Sequence, residues 1–425
     1  MNRSPLSTST ARPCVLTFAV ALAACASPVS QDRAVTLTAA SPNVVSYWNE
    51  VANQAVNAAP LGTGTAEEQR PAYHVDLATV HVAIYDAVSA IDGRYKPFAV
   101  TPKAPAAGAS LDAAASAAAH GVLLALFPSR AAALQSAYDS RIATIAPGTA
   151  REHGVALGRE VAAAVVAQRA DDGRSVALAP YVSGTGAGRF QSVGPTPLNR
   201  HVPFIRPFAL DRIDQFRPPP PPAPGSPVYE ADLLESQAGG GTVSSVRTAE
   251  QLEIARFHTE PPSPYLTRNL GRFATSTADV AEAARLMAFI TVVHADVINA
   301  CFEAKYHYET WRPRTAFNQT PGAVPWAPVL PTPNHPEYPA AHSCTSGGLG
   351  ETLRLFYGTR QVSYRFDSRV TGTTRTYTST DALDAESRTA RVYGGMHFGF
   401  STTAGTELGR RVAQWVGAHH FGRRE

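Results

Sequence analysis

A chain of 425 residues with a 44% hydrophobic share has enough apolar mass for one large domain or two medium ones. Charged residues make up 17% and the formal net charge is +3, too weak and too diffuse for a nucleic-acid binder. The 34 prolines and 31 glycines are scattered, so long loops should cross a helical scaffold, and no internal apolar run is long enough to read as a transmembrane helix.

Arg3 and Arg12 precede an apolar stretch from Val15 to Ala24, which is too short to span a bilayer and has the form of a signal-peptide core. It ends in Leu22-Ala23-Ala24-Cys25, which resembles a bacterial lipobox. That resemblance implies a signal peptide over residues 1–24, acylation of Cys25, and an exported periplasmic or outer-membrane lipoprotein held to the membrane by its lipid alone. Ordinary cleavage after Ala26 is the other reading, and it exports the chain as well. Residues 25–42 are small and polar and read as a flexible tether, followed by a single domain over 43–425. Cys14 falls in the leader, so Cys301 and Cys344 are the two cysteines of the folded part. A disulfide and a pair of buried thiols both remain open for them.

Helical periodicity begins at Val44. Segments near 44–59, 73–91, 110–126, 129–144 and 152–170 repeat apolar residues three and four apart. His74 and His81 share one of these helices and read as core or helix-contact residues. From 172 to about 227 glycine, proline and aromatic residues dominate, ending in Arg217 and prolines 218–222. Such a stretch cannot form helix or sheet interiors and is expected to wrap the domain as a belt. Helices are expected again near 228–238, 248–258, 264–273 and 277–304, then a β-hairpin at 361–378, and closing helices at 381–393 and 402–418. No repeat of fixed period is visible.

Three segments of the last third combine cationic and imidazole groups. In Lys305-Tyr306-His307-Tyr308-Glu309-Thr310-Trp311-Arg312-Pro313, the seven-residue spacing puts Lys305 and Arg312 on one helical face, with Pro313 ending the helix. His307 between two tyrosines reads as packing. In His335-Pro336-Glu337-Tyr338-Pro339-Ala340-Ala341-His342-Ser343, a proline-bounded turn runs into a helix expected at about 344–357, and N–H groups at such a start favour an anion. Glu309 and Glu337 have no fixed separation and are not expected to act as a carboxylate pair. In Arg391-Val392-Tyr393-Gly394-Gly395-Met396-His397, the glycine pair lets the chain turn so that His397 can face the same centre as Arg391.

These segments resemble the Lys-x6-Arg-Pro, Pro-Ser-Gly-His and Arg-x5-His motifs of the vanadium-dependent haloperoxidases and type 2 phosphatidic acid phosphatases, in that order along the chain. The text near 73–91, 217–222 and from 264 onward is similar to bacterial haloperoxidases. The resemblance implies an all-α helical-bundle fold with a minor β-hairpin. It also implies a pocket for vanadate that phosphate can occupy. Lys305, Arg312 and Arg391 would hold equatorial oxygens, as would the backbone at Ala340 and Ala341. His397 would be the apical ligand of vanadium, or the nucleophile toward a phosphate ester. His342 would be general acid or base. His335 would stand near a halide site, by likeness to algal bromoperoxidases.

The implied partners are hydrogen peroxide, a halide and a small organic acceptor, or else a phosphate monoester; an oligomer is compatible. Ala340 and Ala341 replace the family's Ser and Gly, which removes a hydroxyl worth roughly 1.5–3 kcal/mol in a charge-assisted bond. Three functions therefore stand side by side: halide oxidation on bound vanadate, phosphatase action through a phosphohistidine, and non-catalytic oxyanion binding.

Overall fold

Residues 1, 34–37, 42–57, 73–319 and 325–424 are described by a computed structural model. The signal peptide, Cys25 and much of the tether lie outside the described residues. The first helices are α1 (Val44–Asn57), α2 (Tyr73–Asp92), α3 (Leu111–Leu126), α4 (Ala131–Ala143) and α5 (Thr149–Arg169). The belt follows without α-helix and carries one 3-10 turn, Val202–Phe204. Then come α6 (Pro227–Gly240), α7 (Ala249–Phe257), α8 (Pro262–Asn269), α9 (Gly271–Ala274), α10 (Val280–Tyr308), α11 (Pro313–Gln319), α12 (Ala341–Tyr357), α13 (Ala382–Tyr393) and α14 (Gly399–His419). Side-chain caps mark several starts: Ser110 on α3, Ser226 on α6, a Thr248–Gln251 capping box on α7 and Asp279 on α10.

The fold is all-α with a small sheet. β2 (Val362–Asp367) and β3 (Thr374–Tyr377) pair antiparallel, Tyr364 opposite Tyr377. The segment expected to be a free tether contributes β1 (Val35–Thr36), which pairs parallel to β2 with Val35 opposite Val362. Two helix groups share one core: α3 packs on α5 and α2, α12 packs on α14, and α2 meets α10 between them. α10 is apolar nearly all round and long enough to cross a membrane, but its apolar window is 94% buried inside the fold. Burial on every side is what such a pattern requires of a central helix.

The two central helices share a device. Asp86 on α2 accepts backbone N–H bonds from Phe98, Ala99 and Val100. Asp296 on α10 accepts them from Phe208, Ala209 and Leu210. The loops read Lys96-Pro97-Phe98-Ala99-Val100 and Arg206-Pro207-Phe208-Ala209-Leu210. Each half thus ties a Pro-Phe-Ala loop to a buried carboxylate, in opposite chain order, which is why no sequence period reveals the repetition.

Two expectations need correction. Lys305 and Arg312 do not share a helix. α10 ends at Tyr308, Glu309 caps it in the left-handed region with φ 48°, and Pro313 opens α11. A proline at a first helical position is unstrained, so Arg312 stands before a new helix. His307 is exposed rather than packed inside.

Candidate active site

Helix ends converge to build the site. Lys305 lies in the last turn of α10 and Arg312 in the gap before α11. The 335–340 turn leads into α12, so His342 and Ser343 sit in that helix's first turn. Arg391 closes α13, and His397 precedes α14. Between them Gly395 has φ +76°, and a Cβ there would meet Gly240 O at 2.3 Å, so only glycine allows the turn. The start of α12 lies close on α14: a Cβ at Gly409 would stand 2.1 Å from Cys344 O.

His397 is the best-defined group. Its Nδ1 lies 2.8 Å from Glu337 Oε1, while the Arg312 guanidinium donates to its Nε2 at 2.9 Å. An arginine can only donate, so Nε2 carries the lone pair and Nδ1 the proton. Glu337 Oε1 also accepts from the Phe398 N–H, and its Oε2 is buried without a partner. Arg312 further donates to the carbonyls of His335 and Met396 and to His335 Nδ1. Lys305 donates to the carbonyls of Pro336 and Glu337, each at 2.9 Å. Arg391 donates to His258 O at 2.9 Å and to the Met396 sulfur, a weak acceptor, and its Nε is buried without a partner. His342 Nε2 donates to Glu260 O at 2.8 Å, which leaves Nδ1 as the acceptor.

All these charged groups are buried, and burial disfavours their charged forms. It brings Lys305 down to about 8, Arg312 to about 10 and Arg391 to about 9. It pushes Glu337 up to about 7 and holds His342 and His397 well below the ordinary imidazole value. Three buried cations therefore face one buried carboxylate, an imbalance that a bound anion would offset.

A cavity of about 540 Å³ opens onto this cluster. His335, Ala341, His342, Arg391 and His397 line it; Lys305, Arg312 and Ala340 do not. Ala340 is the N-cap of α12 and offers no side-chain cap. Ala341 opens the helix and does not require the left-handed region, so its N–H keeps its place without glycine. No hydrogen bond to an acceptor among the described residues engages the N–H groups of Ala341, His342 and Ser343. The Ser343 hydroxyl turns away to Ser387 at 3.4 Å. Cys301 and Cys344 are buried free thiols whose sulfurs lie 2.8 Å apart across α10 and α12. The residue that sequence reasoning missed is Glu337. Its only signal was a carboxylate inside a histidine-bearing turn.

Residues 285–421 match the family model described as the VCPO second helical-bundle domain. No curated protein sequence matches the chain. Among solved structures, the first bacterial vanadium-dependent iodoperoxidase is similar at a TM-score of 0.72 and 23% identity, covering 89% of this chain and 96% of that one. An apo-type bacterial vanadium-dependent chloroperoxidase aligns at a TM-score of 0.65 and 14% identity, over 81% of this chain and 93% of that one. The holo-type form aligns at 0.65 and 14%, over 90% and 98%. Identities this low speak for architecture: the chain has the helical-bundle fold of the vanadium-dependent haloperoxidases, and residues 285–421 match its second bundle.

Proposed function

We propose that this chain is a vanadate-dependent haloperoxidase that oxidises halide with hydrogen peroxide in the cavity beside His397. The donor set fits a tetrahedral oxyanion: Arg391 has an orphaned Nε, the first turn of α12 offers free N–H groups, and the buried charges are unbalanced toward positive. Lys305, Arg312, Arg391 and the backbone at Ala340 and Ala341 would hold its oxygens, and His397 Nε2 would face its centre. Vanadate, when bound, supplies a Lewis acid that polarises peroxide toward attack by halide.

The observation that carries the reading is the His397 tautomer. The 2.8 Å contact with Glu337 keeps the proton on Nδ1, and the lone pair on Nε2, which accepts from Arg312 at 2.9 Å, is what a ligand or a nucleophile would use in place of that contact. His342, neutral because it is buried and with Nδ1 open as acceptor, would take the proton of the incoming peroxide. His335, its ring tilted against Phe302 with centroids 5.1 Å apart on the cavity wall, would border the halide. The same lone pair and cations serve hydrolysis of a phosphate monoester through a phosphohistidine, which is the second reading.

One experiment separates them. Protein with and without added vanadate is assayed for peroxide-dependent oxidation of iodide and bromide, and for phosphate release from p-nitrophenyl phosphate. Halide oxidation that requires vanadate is expected. Phosphate release that vanadate inhibits competitively, without halide oxidation, would establish the phosphatase. Stoichiometric vanadate binding with neither activity would reduce the chain to an oxyanion-binding protein.

A further inference from the structure

α7 ends beside the site, and the carbonyls at its end must find partners outside the helix. His258 is its C-cap and is buried; Thr259 and Glu260 follow, then Pro261 and Pro262. Prolines have no N–H to give to those carbonyls. Among the described residues, no backbone N–H donates to the carbonyl of His258 or of Glu260. Both accept from side chains of the site instead: Arg391 Nη1 donates to His258 O at 2.9 Å, and His342 Nε2 donates to Glu260 O at 2.8 Å. The partial negative charge at a helix C-terminus suits the guanidinium.

Arg391 has few other holds. Its second contact is the Met396 sulfur, a weak acceptor, and its Nε is buried without a partner. The His258 carbonyl is therefore the oxygen that aims it. The His258 side chain fixes that carbonyl in turn. Its Nε2 lies 2.9 Å from Glu386 Oε1, and a carboxylate only accepts, so Nε2 carries the proton. From β3, the Tyr377 hydroxyl donates to the same oxygen at 2.7 Å and Arg375 Nε donates to the other at 2.8 Å. Glu386 lies on α13, five residues before Arg391 and about 7.5 Å away along the helix axis. α13 thus grips residue 258 twice, at the imidazole through Glu386 and at the carbonyl through Arg391. Neither Glu386, Tyr377 nor Arg375 lines the main cavity.

Resting on the oxyanion site of the haloperoxidase reading, we propose that the Glu386–His258 pair, braced by Tyr377 and Arg375, positions Arg391. Glu386 and Tyr377 hold the imidazole and the imidazole holds the turn after α7. The His258 carbonyl then holds the guanidinium and leaves its Nε–H for the anion. The hairpin reaches the site through this clamp alone, and Glu386 and Tyr377 act on the anion only through Arg391.

Binding of inorganic phosphate is titrated calorimetrically against the full chain and against Glu386→Ala, Glu386→Gln, Tyr377→Phe and Arg391→Ala. Glu386→Ala and Tyr377→Phe are also each combined with Arg391→Ala. We expect Glu386→Ala to weaken binding about tenfold, the effect of one misplaced hydrogen bond, and Tyr377→Phe about threefold. Glu386→Gln removes the same charge but keeps an oxygen for His258, so it should bind phosphate as the native chain does. Without Arg391 both losses should vanish, because the clamp has nothing left to aim. A loss that persists in the Arg391→Ala background overturns the proposal, as does a Glu386→Gln protein as weak as Glu386→Ala. Native affinity in the folded Glu386→Ala and Tyr377→Phe proteins overturns it too. If Glu386→Ala does not fold, Tyr377→Phe decides by the same cycle. Absence of vanadate-dependent halide oxidation with this phosphate pattern intact would sink the haloperoxidase reading alone. A native chain that binds no phosphate would remove the oxyanion site and the clamp's role with it.

Discussion

His397 and His342 line one cavity but are held by different partners. His397 is fixed by Glu337 and Arg312 with its lone pair on Nε2; His342 is fixed by the Glu260 carbonyl with its acceptor on Nδ1. His397→Ala should abolish activity and weaken vanadate binding strongly in equilibrium dialysis. His342→Ala should lower turnover by roughly a hundredfold while binding falls much less. If both variants keep full activity, the chemistry is elsewhere. Affinity for the anion should also depend on pH. As pH rises through about 7, Glu337 gains a negative charge; as it rises through about 8, Lys305 loses a positive one. Both changes oppose an anion, so binding of molybdate, a tetrahedral dianion of constant charge over this range, should weaken by about tenfold or more between pH 6 and pH 9. Glu337→Gln keeps an acceptor for His397 and should remove the step near 7 while sparing the one near 8. A flat profile in the native chain would show that neither group senses the anion. The cationic and imidazole residues were legible as a motif. The role of Glu337 was not, because it depends on the 335–340 turn meeting the start of α14.

At the scale of elements, the site is made of helix ends, and α12 is the one with a missing part. Ala340 occupies its N-cap without a capping oxygen. Ala340→Ser should tighten vanadate binding by about tenfold or more, because a hydroxyl beside three cations adds a charge-assisted bond. Unchanged affinity with a raised melting temperature would mean that the hydroxyl caps α12 instead, an effect of about 0.5–2 kcal/mol. The paired carboxylates give a separate test. Asp86 and Asp296 each gather three backbone N–H groups, so Asp86→Asn or Asp296→Asn should destabilise the fold by about 2 kcal/mol, measured by urea unfolding at pH 7. A change near zero would show that the amide satisfies those N–H groups equally well. Helix positions followed the apolar periodicity within a few residues at most ends. The break at Glu309 did not, since a left-handed glutamate carries no local signal and the following proline reads equally as a stop or a start.

At the scale of the whole molecule, residues 33–425 form one compact unit in which both helix groups share a core. The proposal of an exported lipoprotein stands on the Leu22-Ala23-Ala24-Cys25 text and is testable on the native protein. Mass spectrometry should find an acylated Cys25 as the mature terminus, and an unmodified chain beginning at Ser27 would sink the lipid anchor while leaving export intact. By itself the sequence located most of the helices, though not α11 or the break between α8 and α9, together with the helix-free stretch before α6 and the hairpin. Each of these is written in local spacing or in residue type. Tertiary structure alone decided that Lys305 and Arg312 come from separate elements, that Glu337 sets the His397 tautomer, and that His74 and Ser263 share a cavity wall with His342. Those facts depend on where helix ends meet. That is set by the close approach of α12 to α14 over Gly409, by the turn at Gly395 and by the packing of α2 on α10, none of which leaves a period in the chain.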